Sequence, residues 1–243
     1  MGITRLREWI GMSSRIVFFG GAGTSTESGI PDFRSEAGLF TTKQGSSHSP
    51  EEMLSRSFFE QHPKEFYRFY YRKMIHADAE PNSGHQALAE LEHRGKLRTI
   101  ITQNIDGLHQ KAGSKSVLEL HGSVHRNFCV QCAAFYTLEE LMSLAGEVPL
   151  CVKCGSIVKP GVILYEEPLD MQLFAEAEAA IREADLMIVA GTSLSVYPAA
   201  NLVPYFQGDR LAVINKSETA YDRYAGCVVR EPFAQVMKEV VYD

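Results

Sequence analysis

Four of the five cysteines fall in two close pairs, Cys129 with Cys132 and Cys151 with Cys154, separated by 18 residues. Two such knuckles at this interval supply the four soft thiolates of a tetrahedral zinc site. A redox dithiol, a disulfide pair or plain buried cysteines would stay open for one pair, but two at ribbon spacing point to zinc. Four thiolates close the coordination sphere and leave no position for a catalytic water, so the ion is expected to be structural. It would order the segment from His125 to Lys159, which is too short to fold otherwise. Between the pairs, Thr137 and Glu140 have the spacing of a capping box. Cys227 stands apart and is expected to behave as a buried apolar residue.

A second constellation lies in Phe19 to Ser25 (FGGAGTS), which places Gly21 and Gly23 just after an apolar run. Backbone N–H groups in such a turn can approach a pyrophosphate. The dinucleotide fingerprint asks for a third glycine where Thr26 stands, and no acidic residue closes a following strand about 20 residues on. The loop therefore suggests a nucleotide held in a non-standard way and argues against a hydride-transfer dehydrogenase. A plain strand-to-helix turn is the alternative.

The elements that must position these residues are short apolar runs: Arg15 to Phe19, Leu97 to Thr102, Val117 to Leu120, Leu186 to Ala190 and Leu211 to Ile214. Each has the character of a buried parallel strand, and helical patterns separate most of them. The expected fold is α/β, a Rossmann-like parallel sheet with a smaller helical and zinc-ribbon domain inserted. Helices are expected over about Thr4 to Gly11, Pro50 to Gln61 (capped by Ser49), Pro63 to Ile75 and His85 to Arg94. The polar stretch Thr41 to Ser49 is the candidate mobile loop. All five strand ends carry Gly, Gln, Asn, Asp, His, Thr or Ser, and in such sheets ligands bind beyond the carboxyl ends.

Composition narrows the function class. The 243 residues are 45% hydrophobic, and 24 basic against 30 acidic side chains give a net charge of -6. That balance is a poor footprint for nucleic acid or a membrane surface, and neither is expected as a partner. No apolar stretch approaches the ~18 residues of a transmembrane helix. The N-terminal segment has no signal-peptide apolar run, and Leu6 stands where myristoylation favours Ser or Thr. A cytoplasmic location is expected.

Taken together, these segments closely resemble the bacterial-type sirtuin family of NAD-dependent protein deacylases. The resemblance is carried by GAGTSTESGIPDFR (Gly21 to Arg34), TQNIDGLH (Thr102 to His109), LHG (Leu120 to Gly122), the two CxxC pairs, GTSLSVYP (Gly191 to Pro198) and Ile214-Asn215. It spans about Ile16 to Cys227. It implies that Ala22, Gly23 and Thr26 cradle the NAD pyrophosphate and ribose, and that Phe33 and Arg34 belong to a cofactor-binding loop. Gln103, Asn104, Ile105 and Asp106 would line the ribose and nicotinamide pocket, while Thr192, Ser193 and Asn215 would hold the adenosine half. His121 would be the catalytic base, with Asn104 beside it. Position alone does not separate His121 from His109 or His125.

The implied reaction is NAD-dependent protein-lysine deacetylation. The acyl-lysine oxygen attacks the ribose carbon bearing nicotinamide, nicotinamide leaves, and an alkylimidate forms. His121 then activates a ribose hydroxyl, and water releases lysine and O-acyl-ADP-ribose. A histidine near its ordinary pKa of about 6.5 suits that proton removal. Acyl-lysine proteins or peptides would add a strand against Val162, Ile163 and Leu164. There the chain departs from the family's Phe-Gly-Glu, reading Tyr165, Glu166, Glu167; the extra acid would favour basic peptides or alter the loop. Phe69 and Arg72 lie near the place of a Tyr-x-x-Arg pair that selects acidic acyl groups, but Phe66, Phe69 and Tyr70 also have the spacing of a packed stripe, so acetyl is expected over succinyl. The resemblance divides the chain into a Rossmann-like domain (1–33, 79–121 and 160–243), a helical module (34–78) and a ribbon module (122–159). Two rival functions use the same pocket: protein ADP-ribosyl transfer, and non-catalytic NAD sensing on a scaffold.

Overall fold

A computed structural model describes residues 2–33, 48–144 and 146–243. Arg34 and most of the polar 41–49 stretch lie outside the described residues. Nine strands are described: β1 (Ile16–Gly20), β2 (Leu97–Thr102), β3 (Val117–Glu119), β4 (Gly122–Cys129), β5 (Phe135–Tyr136), β6 (Val158–Val162), β7 (Leu186–Ala190), β8 (Leu211–Ile214) and β9 (Cys227–Val229). The α-helices are α1 (Gly2–Met12), α2 (Pro50–Met53), α3 (Arg56–Gln61), α4 (Pro63–Lys73), α5 (Ser83–His93), α6 (Leu108–Lys111), α7 (Leu138–Ser143), α8 (Met171–Glu183) and α9 (Phe233–Tyr242).

Six strands form one parallel sheet in the order β3-β2-β1-β7-β8-β9. Successive residues of β1 serve opposite faces: Ile16 and Phe18 pack with α1, α5 and α9. Val17 and Phe19 pack with α8 and the 3-10 helix Ala199–Tyr205. Helices on both faces are why these strands are apolar throughout instead of alternating. The N-terminal helix packs on this core through Leu6 and Ile10. The sixth strand, β9, was not among the runs expected above, and Cys227 at its start is buried.

The second sheet has three strands in the order β5-β4-β6, with β4 antiparallel to both neighbours. Because β6 runs to Val162, this sheet extends past the boundary expected at 159/160. The helix expected over Pro50 to Gln61 is two helices. Ser49 caps α2 through Glu52 N, and Ser55 interrupts the run by capping α3 through Phe58 N. The capping box at Thr137 and Glu140 is formed, opening α7. Phe66, Tyr67, Phe69 and Tyr70 of α4 are all buried in one cluster, and the Tyr67 hydroxyl donates to the Val158 carbonyl. The packed-stripe reading of these residues therefore holds. Among the described residues no helix is long and apolar enough to cross a membrane.

Candidate active site

The large sheet grows outward from β1 in one direction and from β7 in the other, so the chain order reverses between these two strands. A crevice opens at the carboxyl ends of strands where this happens. Two loops face each other there, the one after β1 and the one after β7. A Cβ on Gly23 would lie 2.7 Å from Gly191 Cα, and one on Gly191 would lie 2.4 Å from Thr24 N. These glycines are first of all a requirement of loop-to-loop contact. The N–H of Gly21 donates to the Ala190 carbonyl and that of Gly23 to the Gly191 carbonyl, at 3.1 and 2.8 Å. Gly23 therefore spends on the neighbouring loop the donor expected to meet a pyrophosphate.

The loop after β2 joins them. Gln103 Nε2 donates to Thr192 Oγ1 at 3.1 Å. Asn104 is buried, and its Nδ2 donates to Thr24 Oγ1 at 3.1 Å and Ser25 Oγ at 3.0 Å; both hydroxyl protons are already given, to the Gly21 carbonyl and to Asp106, so the amide must donate here. Ser25 in turn donates to Asp106 Oδ2 at 2.7 Å, while Asp106 Oδ1 accepts from Leu108 N at 3.0 Å. Asp106 thus opens the α6 turn and faces the loop after β1 at once. Thr26 Oγ1 bonds to the Gly23 carbonyl. Thr24 and Ser25 are central to this network, yet the sequence had singled out only their neighbours; their place inside the glycine loop was the available signal. Further along the edge, Ser193 is exposed with its hydroxyl 2.7 Å from that of Ser195, and Asn215 Nδ2 donates to the Ser217 carbonyl. Phe33 is half-buried at the end of the described segment.

The structure separates the three histidines that position alone did not. His109 is fully buried against Phe18 and His85. His125 is exposed, its Nε2 3.1 Å from the Asp106 carbonyl. His121 sits in the turn between β3 and β4, where the chain passes from the large sheet to the small one. Its carbonyl accepts from Ile163 N at 2.9 Å, and its Nδ1 lies 3.1 Å from the Gln103 carbonyl. A carbonyl can only accept, so Nδ1 carries the proton and Nε2 of the neutral ring keeps its lone pair. Burial lowers the His121 pKa from its ordinary value, and the Gln103 carbonyl opposes that in part. The ring is therefore a neutral base at neutral pH.

At the end of β6 and just after it, Val162 and Leu164 turn into the small module's core, 6% and 4% exposed. Ile163 lies on the opposite face and is half-buried. Of the three expected peptide contacts, Ile163 is the one whose side chain is not buried in that core.

The four cysteine sulfurs lie within 4.8 Å of one another. Cys129 and Cys154 Sγ are 3.4 Å apart, and Cys132 and Cys151 Sγ 3.6 Å, too far for disulfides. Zinc–thiolate bonds of about 2.3 Å give tetrahedron edges of about 3.8 Å, so the donor set fits that ion. The Tyr136 hydroxyl donates to Cys151 Sγ at 3.2 Å, the kind of outer contact that orients a metal ligand. The crevice likewise suits a dinucleotide, with polar loops from β1, β2, β7 and β8 converging on one edge.

The model of the Sir2 family matches residues 21–198. The chain belongs to the Sir2, or sirtuin, family. An NAD-dependent protein deacetylase of Clostridium acetobutylicum is 54% identical over 239 residues, covering 98% of both chains. Among solved sirtuin structures, Sir2 with a deacetylated p53 peptide and 3′-O-acetyl ADP ribose has a TM-score of 0.90 at 37% identity, covering 99% of this chain and 97% of that one. Sir2 with a p53 peptide and NAD+ has a TM-score of 0.86 at 38% identity, with the same coverage. In this sirtuin the family's parallel sheet and four-cysteine cluster are both present.

Proposed function

We propose that this chain is an NAD-dependent protein-lysine deacetylase acting on acyl-lysine proteins or peptides in the cytoplasm. The observation that carries the reading is the neutral His121, its Nδ1–H anchored on the Gln103 carbonyl, at the junction of the two sheets and beside the buried Asn104 network.

NAD, held by these loops, would supply an electrophilic ribose carbon and nicotinamide as the leaving group. Ala22, Gly23 and Thr26 would line its pyrophosphate side, Gly23 by letting the chain approach closely while its N–H stays on the Gly191 carbonyl, and Thr26 with its hydroxyl on the Gly23 carbonyl of the same loop. Gln103, Asn104, Ile105 and Asp106 line the ribose and nicotinamide end, and Thr192, Ser193 and Asn215 the adenosine end. Phe33 would take part in cofactor binding, as would Arg34, which lies outside the described residues. Asn104, Thr24 and Ser25 present neutral dipoles in a buried setting, which favours developing positive charge without trapping an ion pair. His121 Nε2 takes the proton of a ribose hydroxyl, and the Gln103 carbonyl stabilises the imidazolium through Nδ1–H. The peptide lies extended along 162–164, with Ile163 presenting its side chain and Val162 and Leu164 holding the segment from the core beneath. The cysteines hold one structural zinc. Acetyl is preferred over succinyl, because Tyr67, Phe69 and Tyr70 are committed to the core of the helical module.

The test measures nicotinamide release with and without an acetyl-lysine peptide, for wild type and His121→Ala. Equal amounts of nicotinamide and O-acetyl-ADP-ribose, formed only with peptide, are expected. His121→Ala should lose at least about 100-fold in kcat while still binding NAD. Label from NAD retained on protein, without deacetylation, would move the function to ADP-ribosyl transfer.

A further inference from the structure

Glu166 occupies the left-handed backbone region, with φ of 72°, where a non-glycine residue is strained. Its side chain does not turn along the peptide-holding segment. Oε2 accepts from Ser57 N at 2.9 Å and Oε1 from Ser57 Oγ at 3.0 Å. Ser57 belongs to the first turn of α3, so the carboxylate takes an end-of-helix N–H as well as a hydroxyl. The main chain beside it is tied to the same place: Tyr165 N donates to the Leu54 carbonyl, and Arg56 N to the Tyr165 carbonyl, both at 3.0 Å. On the other flank, Glu167 Oε2 accepts from Leu164 N at 2.9 Å and Lys159 Nζ at 3.0 Å. Upstream, Ile163 N is bonded to the His121 carbonyl. Residues 163–167 thus form a short span clamped at one end to His121 and at the other to α3.

We infer that Glu166 is a positioning residue for the acyl-peptide, a strap that fixes the peptide-holding segment to the helical module through Ser57. The inference rests on the deacetylase reading above. It assigns Glu166 no direct contact with substrate: both carboxylate oxygens accept from Ser57, which holds the side chain against α3. The strained backbone and the two hydrogen bonds belong together, since the left-handed turn is what brings the side chain round to α3.

The test compares Glu166→Gln, Glu166→Gly and Ser57→Ala with wild type, in steady state, on one acetyl-lysine peptide with basic flanks and one with neutral flanks. Glu166→Gly accepts the left-handed backbone and removes the strap together with its charge. Ser57→Ala leaves the Glu166 charge in place and removes one of its partners. All three should raise KM for both peptides by a similar factor, roughly three- to tenfold, with KM for NAD and kcat close to wild type. A rise in KM confined to the basic peptide and to the Glu166 variants would make Glu166 a reader of substrate charge and overturn the strap. Unchanged peptide KM in an active enzyme would overturn it too, as would a fall in kcat and NAD binding together, the mark of general damage. A wild type that turns over neither peptide sinks the deacetylase reading itself, and this role with it.

Discussion

Strands β1, β7 and β8 are buried at every residue, with helices over both faces. In the cysteine module, Phe128, Val130, Phe135, Leu150 and Val152 are exposed, and the small core beneath them includes Cys129 and Cys151 themselves. The two regions are close neighbours and share His121 at their joint, yet they are held by different means. The large sheet has enough apolar area to be stable by burial. The ribbon does not, and its sulfurs stand where an ion would supply the difference. What the contrast teaches is that the active site depends on both: His121 takes its ring contact from the β2 end of the large sheet and its main-chain contact from the segment after β6.

The largest way to break that symmetry is to remove the metal. Chelation, or Cys151→Ser, should disorder the ribbon while the six-stranded sheet stays folded. Structural zinc contributes on the order of 10 kcal/mol in small modules, more than a ribbon this size has to lose. Deacetylation should fall by at least about 100-fold, because β4 begins at Gly122, directly after His121. Hydrogen exchange read by mass spectrometry would show the loss confined to about 122–162. Equal exposure across β1, β7 and β8 would mean the two regions fold as one unit.

How much of this was legible beforehand follows the same division. Five strands of the large sheet announce themselves because a strand buried on both faces is a continuous apolar run. Strand β9 is three residues long, too short to stand out from a loop. The break between α2 and α3 is hidden because Ser55 looks like an ordinary polar position until its hydroxyl is seen accepting from Phe58 N. The cysteine spacing alone carries the ribbon. The roles of Thr24 and Ser25, and the choice of His121 over His109 and His125, depend on which loops meet across the crevice, and spacing along a chain does not encode that. Glu166 is visible as a departure from pattern, but the direction of its side chain is set by a φ angle.

Protons probe the large region as metal probes the small one. His85 and His109 are buried against each other, ring centroids 4.7 Å apart, with Phe18 and Phe233 beside them. Burial lowers the His85 pKa to about 4, opposed by the charge of Asp106, and holds His109 well below its usual value, with His85 adding to the effect. Both folded values lie below the unfolded value near 6.5, so the unfolded chain binds more protons in acid. The stability these neutral rings provide is complete above about pH 6.5 and is lost as pH falls from there toward 4. His85 alone accounts for up to roughly 1.4 kcal/mol per pH unit across that window. Acid also protonates thiolates, so the pH slope of the wild type mixes both regions. Urea unfolding of His85→Gln at pH 7 and pH 5 isolates the sheet's share: the variant should show a shallower loss than wild type. Parallel pH dependence in the two proteins would place the acid sensitivity in the ribbon.

The smallest expected effect sharpens the comparison most, because it uses one side chain in two places. Val213 of β8 is fully buried, whereas Val152, between Cys151 and Cys154, is 77% exposed. Val213→Ala removes two buried carbons and leaves a cavity between the sheet and α8, a loss of about 2 kcal/mol. Val152→Ala gives up little contact, and the knuckle it sits on is set by the flanking thiolates, so its loss should stay below about 0.5 kcal/mol. Thermal unfolding of the zinc-loaded variants measures both. If Val152→Ala were to match Val213→Ala, the apolar face of the ribbon would be contributing packing energy, and the metal would not be what chiefly holds the knuckle in place.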